Sequence, residues 1–400
     1  MPGMEFFGAE ERKEVQDVLE TGILFRYNHD AQRNNIWKAR SLEEEVRKYT
    51  GANYAHAVSS GSTAVATALA AAGIGYGHQV IVPPFTFIAT IEAVLFVGAI
   101  PVFAEIDENL CLSAKGIEAA LTPDTKAVLL VHMCGASANM DEIMEVCKKH
   151  NLVLVEDAGQ ALGAFYKGKS VGTFGKTGCY SFDFFKITTC GEGGVLVTDD
   201  ENCYKLADCY SDHGHNHVGN NRGMEQHPIL GFNFRIGELN AAVGLAQMRK
   251  LNKIRSAKKH NQQRLKELLS GVEGITFRPV PDPEGDSGTF LNFFMPTTEM
   301  AGQVFELITK NKVESCNYWY INMYHFINQW DHLKNLKTAS PMAIHHLKPV
   351  QDYNNLQLPV SQNVIGRLIS VGVKATWTDE QIVDLADNLK KIISTVINNK

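Results

Sequence analysis

Residues 126–159 read KAVLLVHMCGASANMDEIMEVCKKHNLVLVEDAG. The two ends, KAVLLVHM (126–133) and LVLVEDAG (152–159), are nearly continuous apolar runs of strand length. The stretch between them, MDEIMEVCKKHN (140–151), spaces its apolar residues as a helix does. A strand exposed on one face would alternate apolar and polar residues, and these do not. Strands of this kind, separated by helices, belong to a parallel sheet covered on both faces. Such sheets bind ligands at the carboxyl ends of their strands, so the residues that follow each run are the ones to inspect.

The same rhythm extends outward. SLEEEVRKYTG (41–51) predicts a helix that opens with a capping box, Ser41 and Glu44, and stops at Gly51. NYAHAVS (53–59) reads as a strand and STAVATALAAAG (62–73) as a helix ended by Gly73. QVIVPP (79–84), TFIATIEAVLFVGA (86–99) and IPVFAEID (100–107) read as strand, buried helix and strand. Beyond about residue 235 the texture changes. IGELNAAVGLAQMRKLNKIRSAKKHNQQRLKELLSG (236–271) predicts one long helix joining two domains. ITFRPV (275–280) and TFLNFFMP (289–296) are strand candidates, and a last amphipathic helix begins at Thr378 with Gln381 as its capping partner. The expected organisation is a large domain, 1–250, and a smaller α+β domain, 251–400.

Composition narrows the class. A net charge of −6 argues against a nucleic-acid binder and a basic membrane-surface protein. No apolar run reaches the length of a membrane span. The N-terminal MPGMEFFGAEERKEV is acidic and lacks a signal-peptide core, so a cytoplasmic location is expected. The eight cysteines contain no CxxC pair and read as reduced thiols.

Four features fall at strand ends. SSGSTA (59–64) offers Gly61 for close backbone approach, helix N-terminal amides, and the Ser62 and Thr63 hydroxyls, which together suit a phosphate. Phe87 follows the QVIV strand, and Asp157 ends LVLVED with Gln160 three residues on. SFDFFK (181–186) places Lys186 after Phe182, Phe184 and Phe185 and before a glycine-rich stretch. Burial beside aromatics lowers an amine's pKa and lets it form an imine. An amine, a phosphate cradle, an aromatic plate and an acid are what pyridoxal 5'-phosphate (PLP) requires.

SSGSTA, PPFTFIAT (83–90), EDAGQALGAFYKGKSVGTFG (156–175), SFDFFK with CGEGGVLVTDD (190–200), and GFNFRIGELNAAVG (231–244) resemble, in order, the motifs of the DegT-type PLP-dependent sugar aminotransferases. The resemblance implies fold type I, an α/β architecture like aspartate aminotransferase. It implies that Lys186 is the imine lysine and proton shuttle, Asp157 the ring-nitrogen partner, Gln160 a ring-hydroxyl contact and Phe87 the stacking aromatic. Gly61, Ser62, Thr63 and Ser181 would touch the phosphate. Asn233 would reach the phosphate of a neighbouring subunit, which implies a homodimer with shared active sites. Relatives that dehydrate sugars carry histidine in place of the lysine, and this chain keeps the lysine.

Further blocks resemble one subgroup: GILFRYNHD (22–30), VHMCGASANMDEI (131–143), YSDHGHNHVG (210–219), PDPEGDSGTF (281–290) and YWYIN (318–322). Members of that subgroup install the amine of 8-amino-3,8-dideoxy-manno-octulosonate, a lipopolysaccharide sugar, using glutamate and releasing 2-oxoglutarate. Both substrates would carry carboxylates, so a cation is expected in the site. Arg26, His213, His215 and Arg222 are the candidates. HGHNH (213–217) lacks a carboxylate or cysteine at ligand spacing, and no metal is expected.

Overall fold

The computed structural model describes residues 3–219 and 221–398. Its first part alternates strands and helices: α1 (Ala9–Thr21), α2 (Lys38–Thr50), β1 (Tyr54–Val58), α3 (Gly61–Ala71), β2 (Gln79–Val82), α4 (Ala89–Phe96), β3 (Ile100–Phe103), α5 (Ala114–Ala120), β4 (Thr125–Val131), α6 (Met140–Lys149) and β5 (Val153–Asp157). A short hairpin of β6 (Phe165–Tyr166) and β7 (Lys169–Ser170) leads to β8 (Thr177–Ser181), β9 (Gly194–Thr198), α7 (Glu201–Tyr210) and the long α8 (Glu238–Leu269). The last part comprises β10 (Thr276–Phe277), β11 (Phe290–Phe294), α9 (Thr298–Lys310), β12 (Cys316–Asn317), α10 (Asp331–Lys334), α11 (Pro359–Arg367), β13 (Leu368–Gly372) and α12 (Asp379–Asn398).

Seven strands form the main sheet, in the order β1-β9-β8-β5-β4-β2-β3. From β3 to β8 neighbours are parallel, as the apolar runs predict. The exception is β9, which runs antiparallel to both β8 and β1. It returns directly from β8 through the turn at 182–193, so no helix crossover separates the two. The carboxyl ends of β1, β2, β5 and β8 therefore share one edge of the sheet, and the turn between β8 and β9 projects from it. A second sheet, β10-β11-β13-β12, carries the small C-terminal core of Leu291, Phe293, Ile369, Val371 and the apolar face of α12.

Three details differ from the sequence reading. First, α2 starts at Lys38, and Ser41 does not cap it. The buried Glu238 carboxylate does so instead, accepting from Lys38 N at 2.6 Å and Ala39 N at 3.3 Å. Gly51 ends the helix in the left-handed region as expected, at φ 78°. Second, residues 83–88 precede α4 as a bent, non-helical segment, with Thr86 N and Ile88 N donating to the carbonyls of His325 and Tyr324. Third, Trp319, Phe326, Trp330, Tyr353 and Ile365, all beyond residue 250, pack into the larger core. There Gln351 closes the edge of the main sheet: its side-chain amide accepts from Phe103 N at 2.7 Å and donates to Phe103 O at 2.8 Å. The final helix is capped as read, with reciprocal bonds between Thr378 and Gln381 of 3.0 and 3.3 Å.

Candidate active site

Two connected lobes open at the carboxyl edge of the main sheet. The larger, about 650 Å3, is walled by Ser60, Gly61, Ser62, Phe87, Asp157 and Tyr324, among others. The smaller, about 250 Å3, is walled by Thr289, Phe290, Asn317, Trp319 and Asn322. They share Gly159, Gln160, Ser181, Phe185, Lys186 and His325. Lys186 thus stands where the lobes meet.

The first turn of α3 forms one end of the larger lobe. Ser60 caps it, its hydroxyl accepting from Thr63 N at 3.1 Å. The N–H groups of Gly61 and Ser62 have no intrahelical acceptor, as in any first turn. A Cβ on residue 61 would stand 2.6 Å from Ser181 Oγ, so only glycine lets α3 approach the end of β8 this closely. Thr63 departs from its expected role. Its hydroxyl turns back to the Ser60 carbonyl at 2.9 Å and accepts from Ser60 N at 3.0 Å, completing the cap.

Phe87 presents a ring 39% exposed to the cavity, stacked with Tyr324 at 6.3 Å. Asp157, at the end of β5, walls the same lobe. Its Oδ1 accepts from Gly159 N at 3.0 Å and its Oδ2 from Thr90 Oγ1 at 2.8 Å. Gln160 is oriented by a backbone donor, Cys134 N to Oε1 at 3.1 Å, which leaves its NH2 group for the cavity. Cys134 reaches that position in the left-handed region, at φ 55°.

Lys186 sits in a tight turn in which its own N–H bonds Asp183 O at 3.0 Å and Phe185 N bonds Asp183 Oδ1 at 3.0 Å. Burial pushes its amine below the ordinary lysine value, with Asp183 and Asp157 opposing. His325 lies on the far side. Burial and the nearby Lys186 charge lower its pKa to about 3, so its ring is neutral. Its Nδ1 lies 3.0 Å from Asn322 Oδ1, a pairing that makes Nδ1 the protonated nitrogen.

The four residues proposed to hold substrate carboxylates lie elsewhere, and none walls either lobe of its own chain. Arg26 is 5% exposed and closes on Glu43 Oε1 at 2.6 Å and on the Ala57 carbonyl. Arg222 grips Asp212 through two bonds of 2.8 and 2.6 Å. His215 faces Glu225 at 2.9 Å, and His213 is exposed. Among the described residues, Lys186 is the only lysine or arginine that walls the lobes. The sequence reading missed Ser60, Thr86, Thr90, Glu192, Asn317, Asn322, Tyr324 and His325. Ser60, Thr86, Thr90, Glu192 and Asn322 lie in the quoted SSGSTA, PPFTFIAT, CGEGGVLVTDD and YWYIN blocks without being singled out there, and nothing local in the sequence marks Asn317, Tyr324 and His325.

A model of the DegT/DnrJ/EryC1/StrS aminotransferase family matches residues 7–390. The chain belongs to this family. It is 31% identical over 399 residues to the spore coat polysaccharide biosynthesis protein SpsC of Bacillus subtilis, covering 98% of this chain and 96% of that one. GDP-perosamine synthase of Vibrio cholerae is 30% identical over 351 residues, covering 83% and 87%. The solved aminotransferase from Psychrobacter cryohalolentis superposes with a TM-score of 0.80 at 27% identity, covering 98% of each chain. The protein is a PLP-dependent sugar aminotransferase of fold type I. The residues at this edge fit that cofactor: a glycine-lined cradle at α3, an aromatic face, an anchored carboxylate and a buried amine.

Proposed function

We propose that this aminotransferase moves the amino group of L-glutamate to the terminal aldehyde of 3,8-dideoxy-8-oxo-manno-octulosonate. The products are 2-oxoglutarate and 8-amino-3,8-dideoxy-manno-octulosonate. The observation that carries the reading is the smaller lobe. Beyond Lys186 it offers Asn317, Asn322 and neutral His325, uncharged hydrogen-bonding groups suited to the hydroxyls of a sugar chain. A terminal carbonyl is unhindered and can enter so narrow a space.

PLP, when bound, supplies the electron sink and carries the amino group between the two substrates. The protein residues do the rest. Gly61, Ser62 and Ser181 would hold the phosphate, Phe87 would cover the ring, Asp157 would pair with the ring nitrogen and Gln160 with the ring hydroxyl. The Lys186 amine, whose pKa burial lowers, takes the proton from the α-carbon of glutamate and returns one to the sugar carbon. Asn233 belongs to a second copy's site in this reading. It is exposed, does not wall the cavity of its own chain, and lies beside exposed Leu230 and Phe232, which a partner subunit would cover.

The test is to add glutamate to the yellow holoenzyme and then offer the octulosonate aldehyde beside nucleotide-linked keto-hexoses. Loss of the visible band with glutamate and its return with the octulosonate support the proposal. Preferential return with the nucleotide sugars, the class to which the perosamine relative's name points, overturns the acceptor while leaving the aminotransferase standing.

A further inference from the structure

Both oxygens of Asp157 carry a donor, and one of those donors has a donor of its own. Thr90 Oγ1 bonds Asp157 Oδ2 at 2.8 Å, and Thr86 Oγ1 stands 2.6 Å from Thr90 Oγ1. A hydroxyl has one proton. Thr90 gives its proton to the carboxylate, so the proton between the two threonines comes from Thr86. Each threonine is 1% exposed, and solvent does not compete for these bonds. The row starts from the opposite wall of the cavity. Thr86 N donates to His325 O at 3.0 Å and Ile88 N to Tyr324 O at 3.1 Å, so the segment carrying His325 and Tyr324 grips residues 86–88.

We propose that Thr90, held in its rotamer by Thr86, is a positioning residue that fixes the Asp157 carboxylate against the cofactor's ring nitrogen and couples it to the wall made by Tyr324 and His325. This rests on Asp157 being the ring-nitrogen partner. The backbone does not require the Thr90 hydroxyl, because the turn entering α4 is closed by Thr90 N on Phe87 O at 3.1 Å. Valine at position 90 keeps the branched Cβ and puts a methyl in place of the hydroxyl.

The experiment compares wild-type holoenzyme with Thr90→Val, Thr90→Ser, Thr86→Val and Asp157→Asn. It follows the cofactor's visible band across the pH range in which each variant is folded and measures the dissociation constant for PLP. Thr90→Val is expected to bind PLP about tenfold more weakly. It should also move the band's pH midpoint in the direction that Asp157→Asn moves it, by less. Thr90→Ser restores both, and Thr86→Val gives a smaller shift in the same direction. Wild-type affinity and midpoint in Thr90→Val overturn the proposal. Should Thr90→Val not fold, an unmoved midpoint in Thr86→Val overturns it and a moved one supports it. An unmoved midpoint in Asp157→Asn removes the reading of Asp157 itself, and the proposal with it.

Discussion

The wall of the cofactor cavity and the polar knot around Asp212 use the same residue types to opposite ends. In the knot, charges face one another. Asp212 takes His217 Nε2 at 2.9 Å, both Arg222 bonds and a further bond from Arg235. Asp208 takes His217 Nδ1 at 2.8 Å and the Tyr27 hydroxyl at 2.9 Å, and Arg26 and Glu43 close the far side. At the cavity, Lys186, Asp157, Asp183 and Glu192 line an open space. The difference teaches that a charge surrounded by fixed partners contributes to folding. A charge facing a void is available to a ligand.

The largest expected effect lies on the cavity side. Lys186→Ala should lower turnover by at least about a thousandfold, since the proposed proton carrier is gone. Its melting temperature should change little. Borohydride treatment of the wild type should fix the cofactor's mass on the peptide containing Lys186, and labelling of another lysine would break the comparison. Asp157→Asn should slow deprotonation of glutamate about a hundredfold in single-turnover spectra, because the amide cannot balance a ring cation. A near-normal rate would reduce Asp157 to a structural cap.

On the knot side the loss should appear as stability. Asp212→Ala leaves His217, Arg222 and Arg235 without their shared anion, at a cost of about 3–5 kcal/mol in denaturant unfolding. Arg26→Ala should likewise lower stability while leaving the ratio of the two half-reaction rates unchanged. A selective loss of the sugar half-reaction would return Arg26 to the substrate.

The smallest expected effect is a pH slope. Burial pulls the His217 imidazole down, but its hydrogen bonds to Asp208 and Asp212 outweigh that and raise it from 6.5 to about 9. A folded-state value above the unfolded one means that His217 stabilises fully below about pH 6.5 and that this contribution fades as pH rises through 9. Unfolding free energy should fall across that window, by roughly 1–3 kcal/mol. His217→Gln should flatten the slope, and an unchanged slope would place the titration elsewhere.

Much of this was legible in the sequence where the signal is local. The apolar runs at 126–133 and 152–159 gave strand type and sheet class, whereas Lys186 stood out only beside the other strand-end features, since the neighbouring Phe184 and Phe185 are exposed. The reversed direction of β9 was not legible, because GVLVT carries no mark of which way it runs. Arg26 was misplaced because its partner Glu43 lies on another element, and an arginine in a loop reads the same whether it meets a carboxylate of the chain or of a ligand. Thr86 and Thr90 look like ordinary residues at a helix start. Only the meeting of the β2 and β5 ends with the 324–327 segment gives their hydroxyls a purpose. Asn317, Asn322 and His325 come from the far end of the chain, and their return to the lysine depends on Trp330 and Tyr353 docking in the larger core.

The carboxylate of Glu238 caps a helix that begins 200 residues earlier. During synthesis, α2 therefore waits for its cap while the chain lengthens past the whole main sheet. Ribosomes add roughly 5–20 residues per second, so the wait is about 10–40 s. Throughout it the apolar faces of α1 and α2, which will lie on α8, have no native surface to cover them. The segment carrying α1 and α2 is thus made well before the helix it packs on, and a nascent chain paused before residue 238 would leave those faces bare.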